Sequence, residues 1–203
     1  MGDGMEKLSK LFGSEDRVKI MRLFLLNTEA LFDRNEIRAR CKVGLNSLRK
    51  EIHNLADVGF IGPKTVTVEG LRGRKKVEKW GINGKFTYLR PLKNLLFNVE
   101  VFKKEDVLRK IRETGQIKLI IVAGIFINND DSRTDLFVVG DKINKRAFNS
   151  VVKDMESQIG RELNYGIMES EDYRYRLFVF DKFIRDILDY PHEVLLDKIE
   201  SGK

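Results

Sequence analysis

Hydrophobic residues recur at helical spacing from residue 14 onward. The first predicted helix begins at Ser14, whose hydroxyl can accept hydrogen bonds from free backbone N–H groups. Val18, Met21 and Leu25 then follow at intervals of three and four residues, and the pattern ends at Asn27. This spacing predicts a helix buried on one side or more.

A second, shorter helix is predicted to begin at Asp33. Asp33 and Glu36 are spaced as a capping box, in which each residue satisfies a backbone donor of the other. Ile37 and Cys41 lie four residues apart and therefore on one helical face, so we interpret Cys41 as a small buried hydrophobic residue. The segment 42–44 (Lys-Val-Gly) predicts a tight turn.

The third predicted helix separates apolar and polar side chains most clearly, and it ends at Val58-Gly59. Its apolar stripe consists of Leu45, Leu48, Ile52 and Leu55. The opposite face carries Asn46, Arg49, Lys50, His53 and Asp57, with Ser47 and Asn54 at the edge. Amide, cationic and imidazole groups can bond base edges and phosphates in a DNA major groove. A polar face on an isolated helix is more often only solvated, so the order of the neighbouring elements has to decide between these interpretations.

A β-hairpin is predicted directly after these helices. Residues 64–68 are β-branched and alternating, and residues 75–82 form a second extended run. The intervening residues 69–74 contain two glycines and predict the turn. Four cations are concentrated at the tip of the hairpin: Arg72, Arg74, Lys75 and Lys76.

The remaining sequence alternates between helical and extended patterns. Residues 86–114 are expected to be helical with a break, with Pro91 near a helix start and Gly115 after the end. The segments that follow predict strands at 117–123, 135–140 and 163–168 and helices at 148–159, 173–180 and 183–188.

The charge is divided unevenly between the two halves. Residues 1–90 hold 19 Lys or Arg and 11 Asp or Glu, a net charge of +8, whereas residues 91–203 hold 19 and 20, a net charge of −1. Only the first half is therefore expected to meet a polyanion.

A single cysteine excludes an internal disulfide and disfavours a cysteine-based zinc site, which fits a cytoplasmic location. No apolar run is long enough to span a membrane, and the N-terminus has no secretory signal pattern.

Residues 8–90 resemble the winged helix-turn-helix regulators related to the arsenic-type repressors. The matching segments are residues 11–14, 45–52 and 55–61. The resemblance implies that the third helix reads the major groove while the hairpin, or wing, contacts phosphates or the minor groove. The DNA-binding residues expected are Asn46, Ser47, Arg49, Lys50, His53, Arg72, Arg74, Lys75 and Lys76. Metal sensing does not carry over, because this region offers only Cys41 and His53 as soft ligands.

Residues 104–198 resemble the minimal nucleotidyltransferase domain of the polymerase-β superfamily, with its functional positions altered. That family has a Gly-Ser turn, an Asp-X-Asp pair and a third carboxylate. The turn here is Gly124-Ile125, the pair is Arg133 and Asp135, and Asn164 aligns with the third acid. Since two of three carboxylates are missing, we expect a vestigial nucleotide site without metal, cofactor or transferase activity, in which Asp135 anchors its strand.

The sequence therefore predicts an α+β protein. Residues 1–90 form a winged helix-turn-helix domain, residues 91–114 a helical linker or dimerisation segment, and residues 115–203 a degenerate nucleotidyltransferase-like domain with a mixed sheet. The predicted function is sequence-specific binding of double-stranded DNA by a homodimeric transcriptional regulator, with the C-terminal domain binding a nucleotide or protein partner. Two alternatives stay open: an active nucleotidyltransferase using Asp131 and Asp135, and an antitoxin-like interaction protein.

Overall fold

The protein has an α+β fold that divides into two units. A computed structural model describes residues 3–70, 73–97, 104–127, 129 and 132–199. By backbone proximity, residues 3–101 and 153–161 form one unit, here called the N-terminal unit, and residues 102–152 and 162–203 form the C-terminal unit.

Four helices open the N-terminal unit: α1 (Asp3–Phe12), α2 (Glu15–Leu26), α3 (Arg34–Cys41) and α4 (Leu45–Asp57). Ser14 caps α2 by accepting the backbone N–H of Arg17 at 3.2 Å, as the sequence predicted. The capping box of Asp33 and Glu36 at α3 is also confirmed. Lys42 lies in the left-handed region with φ 51° and turns the chain from α3 into α4.

Two expectations about these helices were wrong. The helix at Ser14 is not the first, because α1 precedes it and buries Met5 and Leu8 against the unit's core. Those residues are three apart, but the short stretch around them held too few apolar positions to be recognised. Leu45 is 44% exposed, whereas Leu48 and Ile52 are buried. Leu45 is the first residue of α4 and lies at the open end of the stripe.

A long antiparallel hairpin follows α4. Strands β1 (Ile61–Gly70) and β2 (Gly73–Ile82) pair continuously from Ile61 opposite Ile82 to Gly70 opposite Gly73. The strand pairing therefore extends into the segment 69–74 that was predicted as the turn, and residues 71 and 72 of that segment lie outside the described residues. At the inner end, Phe32 and Trp80 exchange backbone hydrogen bonds of 2.9 and 2.7 Å, which ties β2 to the segment before α3.

Helix α5 (Leu89–Phe97) completes the described helices of residues 3–97 and buries Leu96 in the same core. Pro91 is its third residue, close to the helix start, where the missing N–H is tolerated. The predicted linker at 91–114 begins in α5 and ends just after α6 (Lys104–Arg112), which belongs to the C-terminal unit. Residues 98–103, between these two helices, lie outside the described part of the chain.

The C-terminal unit is built on a mixed sheet, as predicted. Its strands are β3 (Gln116–Val122), β4 (Leu136–Asp141), β5 (Tyr165–Met168) and β6 (Glu193–Asp197), in the spatial order β5-β4-β3-β6. Only β4 and β5 run parallel. Strand β6 was missed by the sequence analysis, because its short apolar run at 194–196 stands between charged residues.

Helices surround this sheet in the order of the sequence. A 3-10 turn at Gly124–Ile127 follows β3, and α7 (Lys145–Ile159) follows β4, with its residues from Lys153 onward assigned to the N-terminal unit. Helices α8 (Ser170–Phe178) and α9 (Lys182–Asp189) lie between β5 and β6. One face of β3 and β4 packs with these two helices in a cluster that includes Phe137, Tyr173 and Ile184.

Candidate nucleic-acid interface

Helix α4 presents a continuous polar face to solvent. Leu48, Ile52 and Leu55 anchor its other side in the core of the N-terminal unit. The exposed side chains are those predicted: Asn46, Arg49, Lys50, His53 and Asp57. Within the described part of the chain, Arg49 and Lys50 form no ion pair, so both cations are available to a partner.

Two polar contacts fix α4 against α2. The guanidinium Nε of Arg17 lies 2.6 Å from Oε2 of Glu51, a carboxylate that is buried on the inner side of α4. The hydroxyl of Ser47 hydrogen-bonds the carboxylate of Asp16. Ser47 was predicted to contact DNA, but its hydroxyl is already engaged and the side chain is half-buried. This bond restrains α4 against α2, and the DNA contact of Ser47 stays a prediction.

His53 has a partner on its own helix. Its Nε2 lies 3.3 Å from Oδ2 of Asp57, one helical turn away, and both side chains are largely exposed. Such an exposed pair contributes little to stability, so another hydrogen-bonding group can replace Asp57 at small cost.

The outer half of the hairpin carries exposed cations, and none of its described side chains is fully buried. Arg74, Lys75 and Lys76 are exposed, while Arg72 lies outside the described residues. Lys75 and Lys76 are consecutive on β2 and so point to opposite faces. Arg74 has a loose contact with the opposing Glu69, with Nε 3.7 Å from Oε1. A cation is therefore presented on each side of the hairpin.

The paired strand contributes polar groups that the sequence analysis did not select. Lys64, Thr65 and Thr67 are exposed on β1. Thr67 stands opposite Lys76, and Lys64 stands opposite Lys79, whose ammonium is held 3.0 Å from Glu36. The signal was present, since Lys64 opened the predicted strand, but the pairing register was needed to place it beside the cations of β2.

The second predicted site brings together three of its four residues. Oδ1 of Asp135 accepts the N–H of Ile125 at 3.1 Å, and Oδ2 accepts the N–H of Asn164 at 2.9 Å. The backbone N–H of Asp135 in turn donates to the carbonyl of Asn164 at 2.7 Å. Asp135 is buried, and its carboxylate joins the turn after β3 to the start of β5.

Gly124 permits this arrangement by its small size. It has φ +55°, and a Cβ added there would lie 2.2 Å from Oδ1 of Asp135. A side chain at this position would therefore both strain the backbone and displace the carboxylate. The glycine of the predicted nucleotide site thus makes room for a buried carboxylate within the fold.

Arg133, the fourth predicted residue, does not join Asp135. Its Nη1 lies 3.0 Å from Oδ2 of Asp186 on α9, and its side chain is 70% exposed. Both residues line a cavity of about 420 Å³ beside α9, with an apolar wall that includes Ile121, Phe183 and Tyr190. This cavity was missed because its lining residues are spread over seventy positions of the sequence.

Metal-ligand clusters and membrane-spanning helices are both absent from the described residues. No three His, Cys, Asp or Glu side chains of that part of the chain gather as metal ligands. None of the described helices is long and apolar enough to cross a membrane.

Comparison with known proteins adds no relationship, since no protein-family model and no curated protein matches the chain.

Proposed function

We propose that the chain binds double-stranded DNA through its N-terminal unit, acting as a winged helix-turn-helix regulator. Helix α4 enters the major groove, and the hairpin of β1 and β2 is the wing that contacts phosphates or the minor groove. The observation that carries this proposal is the exposed face of α4, where Asn46, Arg49 and Lys50 point away from a core-anchored helix.

The arrangement of elements favours DNA over simple solvation of a polar face. Helix α3, the turn at Lys42 and α4 form a helix-turn-helix, and the hairpin follows α4 after three residues. A hairpin whose outer half buries no described side chain fully gains little stability from that half. Contact with a polyanion would give the exposed cations in the outer half of the hairpin a function.

The rigidity of α4 also supports base reading. Direct readout requires side chains to reach base edges from a fixed backbone, and each well-formed bidentate contact discriminates by about 1–3 kcal/mol. The ion pair of Arg17 with Glu51 and the bond from Ser47 to Asp16 both restrain α4. Arg49 or Lys50 is suited to guanine and Asn46 to adenine.

We propose that the C-terminal unit is a nucleotidyltransferase-like domain without transferase activity. Both carboxylate oxygens of Asp135 accept backbone N–H groups, so they are poorly disposed to coordinate a divalent cation. Arg133 stands where a second carboxylate would be needed, and it is paired with Asp186. In this proposal the unit serves dimerisation, sensing or partner docking.

A charge-reversal experiment tests DNA binding. The variant Arg49→Glu/Lys50→Glu should lose most of its affinity for duplex DNA, measured by fluorescence anisotropy. The matched control Lys145→Glu/Arg146→Glu makes the same change of net charge on exposed residues of the C-terminal unit. Equal loss in both variants would mean that the attraction is only nonspecific, and no loss in the first would contradict the proposed role of α4.

A further inference from the structure

The turn between α8 and α9 exposes an apolar surface that the other described residues leave uncovered. Phe178 is 82% exposed and Phe180 is 77% exposed, with Leu177 and Val179 each nearly half exposed beside them. We call residues 177–180 the aromatic turn. Tyr175, one helical turn before Val179, extends the same surface at 65% exposure.

The backbone makes Phe180 an unexpected residue at its position. The N–H of Asp181 donates to the carbonyl of Arg176 at 2.9 Å, and the N–H of Phe180 donates to the carbonyl of Leu177 at 3.2 Å. These two bonds form the Schellman motif that ends a helix, and Phe180 occupies its left-handed position with φ +54°. Glycine is the residue that takes this conformation without strain.

Phe180 therefore combines a strained backbone with an unburied side chain. A phenylalanine normally offsets such strain by burying its ring, but this ring remains in solvent. In the isolated chain, phenylalanine at this position provides no stability beyond what glycine would provide. An aromatic ring at this position is useful only if something covers it.

A cavity with one apolar wall begins close after the aromatic turn, in the same unit. It is the cavity of about 420 Å³ described above, and its lining includes Phe183 and Tyr190, which are 40% and 48% exposed. Cavities of ~300–1,000 Å³ accept ligands larger than a phenyl ring. Phe183, three residues after Phe180, lines this cavity and is itself partly exposed, so it connects the aromatic turn with the cavity along the chain.

The charges around this surface argue against a polyanionic partner. Residues 170–191 contain four Lys or Arg and five Asp or Glu. Arg176 is held by Asp172 at 3.0 Å and lies 3.8 Å from Asp181. Such a balanced surface neither attracts an anionic lipid or nucleic acid strongly nor repels a second copy of itself.

The exposed apolar area approaches that of a standard homodimer interface. With aromatic side chains of ~150–250 Å² each, the exposed fractions leave roughly 700 Å² of apolar surface on each chain. That surface is formed by Tyr175, Leu177, Phe178, Val179, Phe180, Phe183 and Tyr190. Stable interfaces bury about 800 Å² per partner.

We propose that the aromatic turn is the contact surface of a two-fold symmetric homodimer, in which the turn of each chain enters the cavity of the other. A two-fold axis brings the same patch of both chains together, so a ring and a cavity on one surface can fill each other reciprocally. This assigns dimerisation to α8 and α9, whereas the sequence pointed to residues 91–114. The inference goes beyond DNA binding and does not depend on it.

Sedimentation equilibrium of the full chain without DNA tests the proposal. The wild type should reach twice the monomer mass of 23.6 kDa in the micromolar range. Phe178→Glu should weaken association by at least about thirtyfold, as expected for a central interface residue. The control Leu11→Glu introduces the same charge at an exposed apolar residue of α1, outside the aromatic turn, and should change association less than about twofold.

The substitution Phe180→Gly distinguishes a role of the ring in dimerisation from the effect of its left-handed backbone on stability. Introduced into the monomeric Phe178→Glu chain, it should raise the thermal unfolding midpoint, because glycine relieves the left-handed strain. Introduced alone, it should still weaken dimerisation. A more stable chain with unchanged dimerisation would show that Phe180 is only a strained turn residue.

Cross-linking tests the reciprocal fit. The one native cysteine, Cys41, is buried, so introduced thiols report their own contacts. A mixture of Phe178→Cys chains and Tyr190→Cys chains should form more interchain disulfide than either chain alone. A monomeric wild type, unchanged association of Phe178→Glu, or no excess cross-linking in the mixture each overturns the proposal. Binding of a monomeric wild type to phosphatidylcholine vesicles, lost in Phe178→Glu, overturns it in favour of a membrane.

Discussion

The carboxylate of Glu51 is buried on the inner side of α4, where its only cationic contact among the described residues is Arg17 of α2, at 2.6 Å. Arg17 also donates from Nη1 to the carbonyl of Phe12 at 2.9 Å. One guanidinium therefore joins the end of α1, the body of α2 and the inner face of α4. The position of the proposed DNA-reading helix depends on this contact.

Replacing Glu51 by glutamine should destabilise the protein by about 2–3 kcal/mol. Loss of one partner of a buried pair costs ~3–5 kcal/mol, and the partly exposed Arg17 recovers some of that by hydration. Urea unfolding measures the change. The control Asp57→Asn, which breaks the exposed contact with His53, should cost less than about 0.5 kcal/mol. Equal effects in the two variants would contradict a structural role for the Arg17–Glu51 pair.

Asp135→Ala should destabilise the C-terminal unit by about 2–4 kcal/mol, because the backbone N–H groups of Ile125 and Asn164 lose their buried acceptor. Gly124→Ala should be destabilising for a related reason, since its Cβ would collide with Asp135. Gly84→Ala is the control, because a Cβ there meets nothing within 4 Å. Urea unfolding compares the three variants. A catalytic rather than structural Asp135 would leave stability intact and remove magnesium-dependent nucleotide transfer instead.

Acid should weaken the protein partly through Asp141. The ammonium of Lys118, 2.6 Å away, and the backbone N–H of Ser170 lower the pKa of Asp141 from 3.8 to about 2. Because the folded pKa lies below the unfolded one, this contribution is complete above about pH 4 and disappears as the pH falls toward 2.

The pH dependence of the urea midpoint checks this effect. The difference in stability between the wild type and Asp141→Asn should shrink from pH 4 to pH 2. Lys118→Met should remove most of that pH dependence. A difference that stays constant over this interval would exclude Asp141 as a source of acid sensitivity.

The thiol of Cys41 should be unreactive in the folded protein. Burial raises its pKa to about 12, so almost no thiolate is present near neutral pH. A thiol-specific chromogenic reagent should label the native chain only at the rate of unfolding, and the urea-denatured chain at once. Rapid labelling of folded protein would show that α3 opens far more easily than its packing suggests.

The sequence was most informative for features that depend only on residues close together in the chain. Ser14 and Asp33 fixed two helix starts, and the spacing of Leu48, Ile52 and Leu55 fixed the buried face of α4. Periodicity and capping act over a few residues, so they can be identified without tertiary contacts. The exposed cations of α4 and the hairpin were identified for the same reason.

Features that depend on contacts distant in the chain were not accessible. The engagement of Ser47 with Asp16 joins residues on different helices, and the cavity beside α9 collects residues from β3 to Pro191. The left-handed conformation of Phe180 was hidden because its sequence continues an apolar run where glycine would have signalled the helix end. Strand β6 exists because β3 offers it a free edge, which no local pattern reveals.

The salt dependence of duplex binding tests the central claim most directly. Each phosphate contact contributes about 0.9 to the slope of log K against log salt concentration. Lys75→Ala/Lys76→Ala should reduce that slope by up to about 1.8, while Asn46→Ala should leave it unchanged and relax the preference among sequences. A wild-type affinity for duplex DNA that is insensitive to salt and to these substitutions would contradict DNA binding by α4 and the hairpin.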